Sequence, residues 1–145
     1  MTVRTWITLS LLLLVAMTVA VFVRFLAPVD APPVLARVGD TRIEGVLDEA
    51  CWPQRGGELR CTEGDDGPRA DATLPDEGTL RIIVAYPAQP EEGRIEIARG
   101  GDRVLRTDWD DEITYELDPG TYTMTADATY PEDAFVRYRF AFRVR

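Results

Sequence analysis

The chain has 145 residues, 25 of them acidic and 16 basic, with a net charge of −9 and no histidine, lysine or asparagine. Without histidine there is no Ser-His-Asp or Cys-His site, no imidazole metal ligand, and the commonest general base is missing. All the acidic residues lie beyond residue 27, where they meet 14 arginines and leave a formal charge of −11, a balance unsuited to nucleic acid or to anionic lipid.

The first element is an apolar run from Trp6 to Val23, built on Leu11–Leu14 and closed by Arg24. At ~1.5 Å per residue such a run crosses a bilayer core as a helix, so residues 6–27 are expected to form a transmembrane signal anchor behind a cytoplasmic segment 1–5. The small-residue cleavage sites are poor, because Pro28 follows Phe25-Leu26-Ala27 and Pro32 follows Val29-Asp30-Ala31. No cysteine lies near the end of the run to take a lipid. A retained anchor is favoured, with a cleaved signal peptide and a secreted domain as the alternative. Arg4 and Arg24 flank the run on both sides and give little positive-inside bias. Cys51 and Cys61 decide the orientation: two cysteines at this spacing suit a disulfide in an oxidising compartment, which puts the amino terminus in the cytoplasm and the domain outside the cell membrane. Closing that loop contributes about 2.8 kcal/mol in the chain-entropy picture.

Residues 28–37 are proline-rich and are expected to be an extended, semi-rigid linker. From Val38 to Arg145 the chain shows alternation of apolar and polar residues broken by Gly, Pro and acidic turns, the pattern of an all-β sandwich. Strands are expected over Arg42–Leu47 and Arg69–Leu74. Leu80, Ile82, Val84 and Tyr86 are apolar on one side with Ile83 on the other, as in a central strand. Ile95 and Ile97 follow a Pro-Glu-Glu-Gly turn, and Val104-Leu105 follow Gly100-Gly101-Asp102, a hairpin signal. Ile113, Tyr115 and Leu117 form another strand. Tyr122, Met124, Ala126, Ala128 and Tyr130 make the inner face of the next, and Val136, Tyr138, Phe140, Phe142 and Val144 that of the last. Its outer face is a row of arginines, for which acidic neighbours are the expected partners.

Leu117-Asp118-Pro119-Gly120-Thr121-Tyr122 resembles the tyrosine corner of immunoglobulin-like sandwiches. Cys51-Trp52, a second cysteine at Cys61, Gly67-Pro68, the Pro-Gly-x-Tyr turn and the closing Tyr138-Arg139-Phe140 together resemble a group of small exported proteins of Gram-positive and related bacteria. The stretch Thr62 to Asp66 is longer and more acidic than in that group. The strands expected from the residues number seven or eight, after one transmembrane helix; the resemblance implies export and an immunoglobulin-like fold, and no assigned activity.

Three constellations carry the functional reading. The Cys51–Cys61 loop holds Trp52 and Arg55, and two uses follow: Trp52 packs against the disulfide, or Trp52 and Arg55 form a partner-binding spot. Asp108, Asp110, Asp111 and Glu112 are oxygen-rich and are the candidate calcium ligands, without the spacing of an EF-hand loop; Glu63 to Gly67 is a second acidic turn of that kind. Paired carboxylates are the one catalytic option, an envelope hydrolase, and a sandwich of this size rarely forms the cleft it needs. The expected function is therefore a non-enzymatic binding or assembly module at the cell envelope, needing no cofactor, with an envelope protein as partner and no nucleic acid. The alternatives are a calcium-stabilised surface domain and, last, the hydrolase.

Overall fold

In the computed structural model, residues 3–27, 29–64, 66–84, 89–110 and 112–145 are described. One apolar helix, α1 (Val3–Leu26), precedes eleven strands. Its stretch Trp6–Arg24 has a mean hydropathy of 2.5 and none of it is buried against the rest of the chain. It is long and apolar enough to span a bilayer, a property that signal sequences share.

The strands are β1 (Val34–Val38), β2 (Thr41–Glu44), β3 (Val46–Pro53), β4 (Leu59–Glu63), β5 (Ala72–Leu74) and β6 (Glu77–Val84). They are followed by β7 (Glu92–Arg99), β8 (Asp102–Asp108), β9 (Ile113–Glu116), β10 (Gly120–Thr129) and β11 (Phe135–Val144). A four-stranded sheet runs β2-β1-β6-β9, and a larger one runs β4-β3-β11-β10-β7-β8, with β5 parallel to the far end of β11. The two sheets form an all-β sandwich. Removing the β2 and β3–β4 additions leaves β1-β6-β9 facing β11-β10-β7-β8, the A-B-E and G-F-C-C′ order of an immunoglobulin-like domain.

The alternating residues of the two longest strands form the core as expected. Tyr122, Met124, Ala126, Ala128 and Tyr130 of β10 and its end are buried, as are Val136, Tyr138, Phe140, Phe142 and Val144 of β11. The two strands pair in register from Gly120–Val144 to Thr129–Phe135, so these side chains lie side by side on one face, Tyr122 stacked on Phe142 at 5.8 Å. Leu74, Leu80, Ile95 and Ile97 fill the remaining centre, and no polar or charged residue is buried among the described residues. The Tyr122 hydroxyl donates to the Asp118 carbonyl at 2.7 Å, which makes the tyrosine corner.

The strand count exceeds the seven or eight expected, for local reasons. The stretch Arg42–Leu47 is two strands, because the chain changes sheets at Gly45. A Cβ there would stand 2.7 Å from the Phe140 ring and 2.8 Å from Val34, so only glycine lets the chain pass. Residues Val34, Ala36 and Val38 point inward as β1, so the sandwich takes up the second half of the proline-rich stretch. The strand expected over Arg69–Leu74 is reduced to Ala72–Leu74. The expected inner residue Tyr86 lies outside the described residues. The Gly100-Gly101 hairpin is present, both glycines having positive φ (58° and 93°), the form a two-residue turn requires.

Candidate functional site

β3 and β4 form a hairpin added to the outer edge of the larger sheet, alongside the first half of β11. Cys51 and Cys61 face each other across it, with Cα atoms 3.9 Å apart, and are joined by a disulfide. The turn between them is closed by Gln54 N–H to the Glu58 carbonyl (2.8 Å) and Gly57 N–H to the Gln54 carbonyl (2.9 Å). Gly57 has φ +84°, the left-handed conformation that a side chain disfavours. At the other end, Gly64 N–H donates to the Asp48 carbonyl at 2.8 Å.

The two residues singled out beside the disulfide occupy different surroundings. Trp52 is buried and meets Tyr130 edge-on, with ring centroids 5.3 Å apart. That contact ties the hairpin to the end of β10. Arg55 stands exposed at the turn, and its guanidinium donates to the Arg24 carbonyl in the last turn of α1. Gln54, between them, makes a pair of bonds to one residue: Val29 N–H donates to its Oε1 at 2.9 Å, and its Nε2 donates to the Val29 carbonyl at 3.0 Å. β4 is almost entirely exposed and is the outermost strand of its sheet, with Leu59 41% exposed.

Behind the hairpin, the outer face of the larger sheet is a set of ion pairs. Arg137 of β11 meets Asp127 of β10 through two bonds of 2.7 and 3.3 Å, and approaches Glu49 of β3 at 3.5 Å. The Asp127 hydrogen bond is the main reason that the Arg137 pKa rises above its ordinary value, and Glu49 and Asp48 add to it. Arg139 pairs with Asp48 at 2.8 Å, and Glu96 with Arg103 and Arg106 at 3.7 and 3.3 Å. Arg137 and Arg139 of the arginine row therefore have the acidic partners its alternation called for.

The acidic turn between β8 and β9 is arranged around Trp109, whose N–H donates to the Gly93 carbonyl at 2.9 Å. Asp108 ends β8 opposite Arg94, and Glu112 is ion-paired with Arg81. Asp111 lies outside the described residues, as does Asp65 of the other acidic turn. Among the described residues no group of three or more His, Cys, Asp or Glu side chains converges as a metal site would require.

An open cleft of about 1000 Å³ lies between β2 and the loop leading into β5. Arg42, Glu44, Asp66, Arg69 and Asp71 line it with mixed charge. Sequence reading misses it because its two walls are more than twenty residues apart and neither carries a motif. Gln54 is missed too, since a lone glutamine in a turn has no sequence signature.

No protein-family model matches the chain, and no curated protein or solved structure matches it either.

Proposed function

We propose that the chain is a single-span membrane protein, amino terminus in the cytoplasm, that displays its sandwich outside the cell as a non-enzymatic binding or assembly module. The observation that carries this reading is β4, an exposed edge strand held in place by a disulfide and backed by a sheet in which Arg137 and Arg139 are already paired with Asp127, Glu49 and Asp48. An edge strand offers a row of backbone donors and acceptors to a partner strand, and its exposed side chains add selectivity. The disulfide and the cross-strand ladder keep that edge in one conformation, which lowers the entropy lost on binding. The oxidising compartment that preserves such a disulfide supports the orientation.

A photo-crosslinking amino acid at Arg60 of β4, in the full chain in its native membrane, tests the reading, with Arg103 on the opposite edge strand β8 for comparison. A discrete adduct from position 60 that position 103 does not give is the expected result. Monomeric protein alone from both positions refutes the module.

A further inference from the structure

The chain from Arg24 to Pro32 is fastened to the sandwich at four places, two of them on the hairpin turn. Arg55 reaches the Arg24 carbonyl, Gln54 holds both backbone groups of Val29, Val29 and Ala31 pack against the core, and Tyr138 donates its hydroxyl to the Pro32 carbonyl. Pro32 itself is buried. A chain held this way does not act as a free spacer. It brings the hairpin turn to the end of the apolar helix.

The depth of the turn follows from that contact. The apolar stretch ends at Arg24, so when α1 spans a bilayer this residue reaches the headgroup layer. The turn lies within hydrogen-bonding distance of the Arg24 backbone and must share its depth. Its composition suits the place: segments 24–29 and 52–60 carry Arg24, Arg55 and Arg60 against the single carboxylate Glu58. The −11 charge of the remainder keeps the rest of the domain from such a surface, while this one end is locally basic. Leu59, exposed beside the turn, adds an apolar side chain of the kind that settles at a membrane interface.

We propose that the turn Gln54–Leu59 is a foot that rests on the phospholipid headgroups of the membrane α1 crosses, with Gln54 and Arg55 as the strap that holds it there. The inference rests on reading α1 as a retained span. It narrows the partner of β4 to a protein that presents its own strand close to the membrane surface.

Nitroxide labels at Gly56→Cys and Val104→Cys test it, in the full chain reconstituted into phosphatidylcholine vesicles that carry a gadolinium chelate on some headgroups. The native cysteines are disulfide-bonded and do not take the label. Gly56 has open space around an added Cβ and an ordinary φ. Val104 lies on β8, five strand spacings or ~24 Å across the sheet from β4. The expected result is protein that floats with the vesicles, a label at 56 relaxing several times faster than one at 104, and a difference that shrinks when Gln54→Ala and Arg55→Ala are added. Floating protein in which position 56 relaxes no faster than 104, or in which the two substitutions change nothing, overturns the foot. Protein that stays out of the vesicles overturns the retained span, a failure that flotation reports separately.

Discussion

Removing one oxygen from the core tests the docking of the pre-strand segment against a pH scale. Tyr138 is 3% exposed, its hydroxyl donates to the Pro32 carbonyl, and burial, with a smaller contribution from Tyr130, pushes its pKa well above the ordinary value of 10.0. Tyr138→Phe keeps the ring and deletes the donor, leaving a buried carbonyl without this partner at a cost of about 1–3 kcal/mol near neutral pH. The sign with pH follows from linkage. Above pH ~10 the unfolded chain releases the phenolic proton that the native chain retains, so the tyrosine's contribution falls by about 1.4 kcal/mol for each further unit. The phenylalanine variant has no such proton. Tyr115, whose pKa is raised by burial and then by Asp76, ionises alike in both proteins and drops out of the comparison. Guanidinium unfolding of the full chain in mild detergent, followed by tryptophan fluorescence, is run at pH 7, 10 and 11. The variant is expected to be the weaker protein at pH 7, and the gap to narrow by up to about 1.4 kcal/mol between pH 10 and 11. Equal stability at pH 7, or a gap that does not change with pH, refutes the account of a neutral, buried, bonded hydroxyl.

Other perturbations give separable outcomes. Glu132 sits at φ 64°, a conformation in which a side chain is strained, so Glu132→Gly is expected to raise stability by about 0.5 kcal/mol in thermal unfolding, and a loss would contradict the turn geometry. Replacing both cysteines by alanine is expected to lower unfolding free energy by about 2.8 kcal/mol at most, and the loss of exchange protection should centre on residues 46–63 and spare β7, β10 and their pairing. Millimolar calcium is expected to leave the melting temperature unchanged, because Glu112 is paired with Arg81 at the β8–β9 turn; an upward shift would establish a calcium site on the native domain.

What could be read from the residues depended on how each element signals itself. β10 and β11 were legible because nearly every second residue along each is apolar and buried, with threonines, Asp127 and arginines between them. The tyrosine corner and the Gly100-Gly101 turn were legible because each needs particular residues at fixed positions. β1 was hidden by the prolines before it, although Val34, Ala36 and Val38 alternate inward. The break at Gly45 was hidden because its cause, the ring of Phe140, lies 95 residues away in the chain. β5 was read too long, over Arg69–Leu74, because three residues beside a parallel partner are too few for a period to mark where the strand begins. At the hairpin, the disulfide could be anticipated from the cysteine spacing, whereas the hold of Gln54 on Val29 depends on a loop closure that no short window contains.

β11 is the last strand and stands in the interior of its sheet, with β10 on one side and both β3 and β5 on the other. β3, with β4 attached to it, and β5 therefore have no sheet to join until the final strand arrives. Such a domain closes in one late step that pairs distant segments, with slow folding as the usual result. The larger sheet completes itself only when residues 135–144 are there to bridge β10 to β3 and β5.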